Sequence, residues 1–277
     1  EAARTLYSLS TAHQRGVRPQ DYEIIAVDNG SAEPLGADFV EGFGPNLRLI
    51  RHETTSVSPV AAINLGVRAA QGDAVAVIVD GARMASPGLV AHSLKALALA
   101  DMPVVFARSW HLGPDVQNKT VPEGYDQATE DALLEGAGWR EDGYALFDIS
   151  VLAQSSGDGF LGPVPSEFSW VALPRAMFDA LGGYDERFVA PGGGLVNQEF
   201  RNRALACPGA TAVQILGEGV FHQVHGGVAT NVPMERHPMK DFRAEYQTLM
   251  GRDYVNTPVP HPLLYGTLSG AALKFLR

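Results

Sequence analysis

The chain has 277 residues and a mass of 29.6 kDa, and 45% of its residues are hydrophobic, which excludes wholesale disorder. Its formal net charge is −10, its pI is about 5.2, and no Lys/Arg-rich run is present, which argues against a nucleic-acid-binding protein. The single cysteine, Cys207, excludes an intrachain disulfide and a cysteine-based zinc cluster. Without an 18-residue apolar run or a signal-peptide core, we expect a cytoplasmic protein.

The first hundred residues predict strands and helices in alternation. Leu6 and Leu9 have helical spacing and predict a first helix over residues 3–14. The following predicted elements are strands at 23–27, 47–51, 74–79 and 103–108 and helices at 59–70 and 87–100. This order is typical of an α/β protein with a mostly parallel, Rossmann-like sheet and helices on both faces.

The rest of the chain has a weaker pattern. Residues 113–145 are rich in Gly, Asp and Glu and predict a long loop. The remaining predicted elements are a short helix near 127–135, a strand at 168–173, a helix over 174–181 ended by Gly182 and Gly183, a helix ending near Ala206, a strand at 213–216 and a helical, then Pro-rich tail.

Polar residues follow two of the predicted strands. The strand at 23–27 runs into Asp28, Asn29, Gly30 and Ser31, and the strand at 74–79 runs into Asp80. Open α/β sheets bind ligands beyond the carboxyl ends of their strands, so these residues are candidates for a binding site. The alternative is that they only form tight turns, in which all four residue types are common. Two buried strands that each end in aspartate favour the binding site.

Four segments resemble motifs of the family 2 glycosyltransferases, enzymes with the GT-A fold. In chain order they are YEIIAVDNGS, AAINLGVRAAQGDAVAVIVDGA, FSWVALPRAMFDALGGYDERF and NQEFRNRA. Each motif alone is weak, but their order and spacing resemble the family over residues 1 to about 205. The resemblance implies a hexosyltransferase-like enzyme that moves a sugar from a nucleoside diphosphate sugar, normally UDP-linked, to an acceptor hydroxyl with inversion.

The resemblance also implies an organisation and roles for individual residues. Residues 1–110 would bind the nucleotide sugar, residues 111–230 would form the acceptor half of the same domain, and residues 231–277 would form a C-terminal tail. Asp28 would accept a hydrogen bond from the base, normally from uracil N3–H, beside Asn29, Gly30 and Ser31. Asp80 would face the ribose and diphosphate or bind a divalent cation, Mn²⁺ or Mg²⁺. The acceptor side would include Gly182 and Gly183, with Trp170 placed to stack on a sugar.

Three features depart from the family pattern. The family's first strand has no counterpart, so we expect residues before Glu1. The segment DGAR has Ala82 where the family's Asp-x-Asp motif has its second acid, which makes Arg83 a candidate to offset diphosphate charge directly. The acidic pair that usually supplies the catalytic base is replaced by Val196 and Asn197. The first candidate for the base is then Glu199, followed by Asp185 and Glu186; the alternative is that Glu199 only pairs with Arg201 or Arg203.

The segment FHQVHGG places His222 and His225 three residues apart after a predicted strand. In GT-A enzymes a histidine from this late region often completes the metal site, so both are candidates for binding metal or diphosphate. The alternative is that one of them only packs or supports a loop. Side chains alternate between the faces of a strand, so joint binding by both histidines requires a turn between them.

Two other classes of protein compete with an active transferase. One is a GT-A domain that only binds nucleotide sugars or acts as a scaffold, and the altered DGAR and VNQEF segments favour it. A nucleotidyltransferase would need a Gly-rich basic loop near the N-terminus, and the sequence lacks one. The donor sugar, the acceptor (sugar, lipid or protein) and the formation of a homo-oligomer stay open at this point.

Overall fold

The computed structural model describes residues 1–79, 81–259 and 261–276. Its strands are β1 (Ile24–Asn29), β2 (Leu47–His52), β3 (Ala74–Ile78), β4 (Arg83–Ala85), β5 (Pro103–Leu112), β6 (Ser150–Leu152), β7 (Trp170–Pro174), β8 (Thr211–His222) and β9 (Leu263–Gly266). Its helices are α1 (Ala2–Leu9), α2 (Ala37–Glu41), α3 (Val60–Ala69), α4 (Leu89–Ala96), α5 (Gln117–Thr120), α6 (Gln127–Ala137), α7 (Arg175–Ala180), α8 (Val196–Ala206) and α9 (Met239–Met250).

Two sheets organise these elements. Strands β1 and β2 form a parallel pair, and a larger sheet has the order β3-β7-β5-β8-β4, with β6 beside β5 and β9 beside β8. In the larger sheet β8 runs parallel to β5 and β9, whereas β4, β6 and β7 pair antiparallel with their neighbours. Helix α3 packs on β1, and α4 packs on β5 and β8. The predicted α/β class is confirmed.

The central strand β5 lies in the core of the protein. All ten residues of β5 are buried, since the strand lies inside the sheet and is covered on both faces. The largest core cluster includes Phe106, Phe178 and Phe200, and the ring of Tyr184 stacks on that of Phe200 with centroids 4.3 Å apart.

The C-terminal tail is packed into this body. Phe242 and Tyr246 of α9 belong to the largest core cluster, and β9 extends the sheet beside β8. The part of the chain that the structure describes contains no helix long and apolar enough to cross a bilayer.

Two strands differ from the prediction, and both shape the site. Strand β8 was predicted at 213–216 but continues to His222, although Gly217 and Gly219 interrupt the apolar pattern. No strand was predicted between residues 79 and 103, yet Arg83–Ala85 forms β4 by pairing with the end of β8. Through these pairings His222 lies beside Arg83 on one side and His111 on the other.

Candidate active site

Asp28 lies within β1, near its carboxyl end, and is buried. Its Oδ1 accepts a hydrogen bond from the backbone N–H of Ser31 at 3.0 Å. Burial alone would raise the pKa of Asp28, but hydrogen bonds from Ser31, the nearby backbone N–H of Leu35 and the charge of Arg51 outweigh it, so the pKa lies below its ordinary value. The other oxygen, Oδ2, is buried without a hydrogen-bond partner among the described residues. Asp28 is therefore an ionised carboxylate with one unused acceptor.

The residues after Asp28 hold the neighbouring loop in place. Asn29 donates from Nδ2 to the carbonyl oxygens of Ser58 at 3.1 Å and Ser56 at 3.4 Å, while its buried Oδ1 has no partner within the described ranges. Gly30 has φ of +71°, and a Cβ there would lie 2.1 Å from the carbonyl oxygen of Thr54. Only glycine fits this position without displacing the 53–58 loop.

The imidazole rings of His222 and His225 lie close together. Their Nε2 atoms are 3.1 Å apart, because the chain leaves β8 after His222 and turns. Burial, followed by the charges of Arg83, His111 and His225, lowers the pKa of His222 well below its ordinary value, so its ring is neutral at neutral pH. The turn that joint action of the two histidines requires is therefore present.

The turn between the histidines is held by contacts with the N-terminal helix and α6. The backbone N–H of Val224 donates to Oε2 of Glu130 at 2.9 Å, and Gln223 donates from Nε2 to Oγ1 of Thr5 at 3.1 Å. Arg4 Nη1 lies 3.4 Å from acceptors on both Glu130 and Gln223. Burial raises the pKa of Glu130 to about 7, although its hydrogen bond from Val224 and the charge of Arg4 oppose the shift.

Asp80, the predicted metal or ribose ligand, lies outside the described residues. The residues that follow it are held against the end of β8. The carbonyl oxygen of Ala82 accepts a hydrogen bond from the backbone N–H of Gln223 at 2.8 Å. Arg83 is buried in β4, where Nη1 donates to Oγ of Ser109 at 2.9 Å and Nε donates to the carbonyl oxygen of Val79 at 3.0 Å.

A pocket of about 620 Å³ lies on the predicted acceptor side. Gly183 has φ of +67°, and a Cβ there would lie 2.7 Å from Oδ1 of Asn64, so glycine is required for this close approach. Asn64 in turn fixes the loop, because it accepts from the backbone N–H of Tyr184 and donates to its carbonyl oxygen. The lining residues include the predicted Gly182, Gly183, Asp185, Glu186 and Glu199.

Two of the three candidate bases in this pocket are held by arginines. Both oxygens of Glu199 accept hydrogen bonds from Arg203, at 2.6 and 2.7 Å, and Arg203 also donates to the carbonyl oxygens of Leu181 and Gly183. Both oxygens of Asp185 likewise accept hydrogen bonds from Arg187. These hydrogen bonds lower the pKa of Asp185, although burial opposes the shift. A carboxylate that is bound at both oxygens by guanidinium is a poor proton acceptor. Contrary to the expectation, Glu199 therefore has the geometry of a structural ion pair.

Glu186 is the least constrained of the three. Its Oε1 accepts a hydrogen bond from Nδ2 of Asn64 at 3.0 Å and lies 3.6 Å from Nη1 of Arg68, and its side chain is 53% exposed. Trp170 also differs from the expectation. It is 5% exposed, packs in a core cluster and donates from Nε1 to Oγ of Ser93 at 3.0 Å, so its ring is not available to stack on a sugar.

The sequence model of Glycosyl transferase family 2 matches residues 2–152, which is more than half of the chain. The chain belongs to glycosyltransferase family 2. The matched region includes β1, β4 and the pocket residues Asn64, Val67 and Arg68, and it stops before the other pocket residues and the histidine pair. A comparison with curated proteins found no match.

Solved structures of TarS from S. aureus have a similar fold. One TarS structure aligns with a TM-score of 0.54 at 14% identity and covers 80% of this chain and 34% of that chain. TarS 1–349 in complex with UDP and with UDP-GlcNAc aligns with TM-scores of 0.53 and 0.52 at 14% and 12% identity. These two alignments cover 80% and 89% of this chain and 56% and 62% of the TarS chain, so this chain spans less than two thirds of either. The GT-A fold expected for a family 2 chain is confirmed.

Several residues of this family 2 site have no counterpart among the sequence-based predictions. Gln117 bonds to His222, and Glu130 bonds to the backbone between the histidines, across 105 and 94 residues of sequence. Neither residue lies in a recognisable motif, and only the fold brings them to the histidines. The pairing of Glu199 with Arg203, by contrast, has a sequence signal, since opposite charges four residues apart face each other on a helix.

Proposed function

We propose that the protein transfers a sugar from a UDP-linked donor to an acceptor hydroxyl, with inversion at the anomeric centre. The observation that carries this proposal is the buried Oδ2 of Asp28 near the carboxyl end of β1, which has no hydrogen-bond partner among the residues that the structure describes. A buried carboxylate oxygen without a partner costs free energy that a bound hydrogen-bond donor would recover. Uracil N3–H is such a donor, and the unpaired Oδ1 of Asn29 offers a second acceptor beside it.

The bound nucleotides of the TarS structures support uridine as the nucleoside. Two TarS structures are complexes with UDP and with UDP-GlcNAc, and the TarS fold is shared by this chain. We assign the base to Asp28, Asn29, Gly30 and Ser31, and the diphosphate to the end of β8, where Arg83 and the histidines lie.

The histidine pair fits a divalent cation. Two nitrogens that each lie about 2.1 Å from one ion, at a right angle to each other, are about 3.0 Å apart, and the Nε2 atoms of His222 and His225 are 3.1 Å apart. Within the described ranges no group of three or more His, Cys, Asp or Glu side chains is arranged to bind a metal. Asp80, which the family resemblance makes a candidate metal ligand, lies outside the described residues, so its role as a third ligand stays a prediction.

Imidazole ligands are more typical of transition metals than of Mg²⁺, which favours Mn²⁺ in this site. The bound ion would offset the negative charge that develops on the leaving diphosphate. The remaining chemistry is a proton transfer from the acceptor hydroxyl. We assign it to Glu186, which is half exposed and faces the pocket, whereas Asp185 and Glu199 are each bound at both oxygens by an arginine.

The test combines donor binding with turnover. UDP, GDP, CDP and TDP sugars are screened by thermal unfolding with and without Mn²⁺, and a donor at 100 times its Kd should add about 2.7 kcal/mol of stability. UDP release is then measured with sugar, lipid and peptide acceptors. Stabilisation by UDP sugars alone, with UDP release in the presence of one acceptor class, is the expected result. Failure of every nucleotide sugar to stabilise the protein would refute the donor site.

A second candidate function is a nucleotide-sugar-binding domain without transferase activity. The observation that favours it is the replacement of the family's acidic pair by Val196 and Asn197, where Asn197 donates to the carbonyl oxygen of Phe168 at 2.8 Å. Stabilisation by UDP sugars with no UDP release for any acceptor, and no hydrolysis of the donor, would favour this function over transfer.

A further inference from the structure

Gln117 is completely buried at the start of α5, and its side-chain amide has fixed partners. Its Nε2 donates to the carbonyl oxygen of His222 at 3.0 Å. Its Oε1 lies 2.7 Å from Nδ1 of His222 and accepts a hydrogen bond from Nδ2 of Asn231 at 3.0 Å. Since a carbonyl oxygen can only accept, the contact with the main chain of His222 fixes which end of the amide faces the imidazole.

The orientation of this amide determines the protonation of the His222 ring. Oε1 of Gln117 carries no proton, so Nδ1 of His222 must donate to it. A neutral imidazole carries one proton, and Nε2 of His222 is therefore left with its lone pair. That lone pair faces Nε2 of His225 at 3.1 Å and Oγ1 of Thr230 at 3.4 Å.

The same amide also holds the loop that carries His225. Asn231, anchored on Oε1 of Gln117, accepts hydrogen bonds at Oδ1 from the backbone N–H groups of His225 at 3.1 Å and Gly227 at 2.9 Å. The backbone of Gln117 extends the network further, because its N–H donates to Nδ1 of His111 at 3.0 Å. One buried side chain thus connects both members of the histidine pair.

We propose that Gln117 is the positioning residue of the histidine pair. It fixes His222 in the tautomer with the proton on Nδ1 and, through Asn231, sets the loop that brings His225 to the same point. Gln117 touches neither the donor nor the cation in the proposed function, so it acts through His222. The proposal rests on the proposed function only for the identity of what the pair binds, since the tautomer is a property of the metal-free chain.

The direct test is the tautomer of His222 in metal-free, ¹⁵N-labelled protein. Long-range ¹H–¹⁵N correlation spectra distinguish a protonated from an unprotonated ring nitrogen. We expect a protonated Nδ1 and an unprotonated Nε2 in the wild type near pH 7.5. The opposite tautomer would overturn the proposal without the need for any variant.

Variants then test whether Gln117 determines the tautomer of His222. Gln117→Met should give a mixture of tautomers and weaken Mn²⁺ binding, measured by calorimetry, by about 10- to 100-fold, the usual effect of losing a partner of a metal-binding histidine. Gln117→Glu keeps both acceptor contacts and should restore the wild-type tautomer. The matched control is Gln14→Met, which removes another buried amide, one that contacts only backbone groups of Ser8, Ser86 and Val90 and lies away from the imidazole.

The outcomes separate this proposal from the proposed function. A wild-type tautomer in Gln117→Met would overturn the role of Gln117, and if that variant does not fold, the wild-type spectrum still decides the tautomer. No Mn²⁺ binding by a wild type that has the expected tautomer would refute the metal assignment and leave the role of Gln117 standing. Equal loss of the tautomer in Gln14→Met would show a general effect of core disruption and would also overturn the proposal.

Discussion

The sharpest prediction concerns Asp28→Asn, which keeps the shape of the side chain and replaces one hydrogen-bond acceptor with a donor. The amide oxygen of the new side chain would still accept from the N–H of Ser31, which places NH₂ where the unpaired Oδ2 is now. Uracil N3–H would then face a donor. A hydrogen bond to a charged group contributes about 1.5–3 kcal/mol, so we expect UDP to bind about 10- to 150-fold more weakly.

The assay is calorimetric titration with UDP and with CDP, because cytosine has an acceptor at N3 where uracil has a donor. Asp28→Asn should lose UDP affinity and narrow the preference for UDP over CDP. The matched control is Asp126→Asn at the start of α6, where the side chain accepts from the N–H of Thr129 at 2.8 Å. If Asp28→Asn folds and binds UDP like the wild type, the assignment of Asp28 to the base is refuted.

Three further predictions test other parts of the site. Glu186→Gln should lower kcat by about 10²–10⁴-fold with little change in donor affinity, whereas Glu199→Gln should mainly lower the stability of the fold. The reverse result would assign the role of catalytic base to Glu199 instead. Gly30→Ala should destabilise the fold by more than about 1 kcal/mol in urea unfolding, because its Cβ would meet Thr54, while Gly36→Ala has open space and should cost little. The pKa of Glu130 is about 7 in the folded state, against an ordinary 4.5, so between these pH values Glu130 is protonated in the folded protein and ionised in the unfolded chain. The free energy of unfolding should therefore fall as pH rises from about 4.5 to 7, by on the order of 3 kcal/mol relative to Glu130→Gln. Parallel pH–stability curves for the two proteins would contradict this.

Much of the α/β pattern could be predicted because it depends on local composition. The apolar run after Gly72 became β3, and the segment PVAAINLGVRAA became α3, with Pro59 just before the helix. Strand β4 could not be predicted, since Arg83–Ala85 has no β-forming composition and becomes a strand only because β8 lies beside it. Pairing partners that are more than a hundred residues away leave no local signal.

The candidate site, like the fold, could be predicted from the sequence only in part. The turn chemistry of Asp28–Ser31 was visible in the sequence, and the structure adds that one oxygen of Asp28 is unpaired. The pairing of Glu199 with Arg203 was visible in the sequence as an alternative, because the two residues are four apart on a helix, and the structure adds that both carboxylate oxygens are bound. The expectation that Trp170 stacks on a sugar was wrong because the residue before an acceptor segment also lies inside a central strand, where its ring packs against α4.

The contacts of Arg4 and Thr5 with Gln223 join parts of the chain that are 219 and 218 residues apart. During synthesis the N-terminal helix leaves the ribosome long before Gln223 does, so Arg4 and Thr5 lack this partner in the nascent chain, whereas Leu6 packs with Val40 and Leu47 from the first fifty residues. Long-range contacts of this kind slow folding. The histidine pair therefore takes its final arrangement late, because a nascent chain that ends before Gln223 lacks both His225 and the contacts that hold the turn between the two histidines.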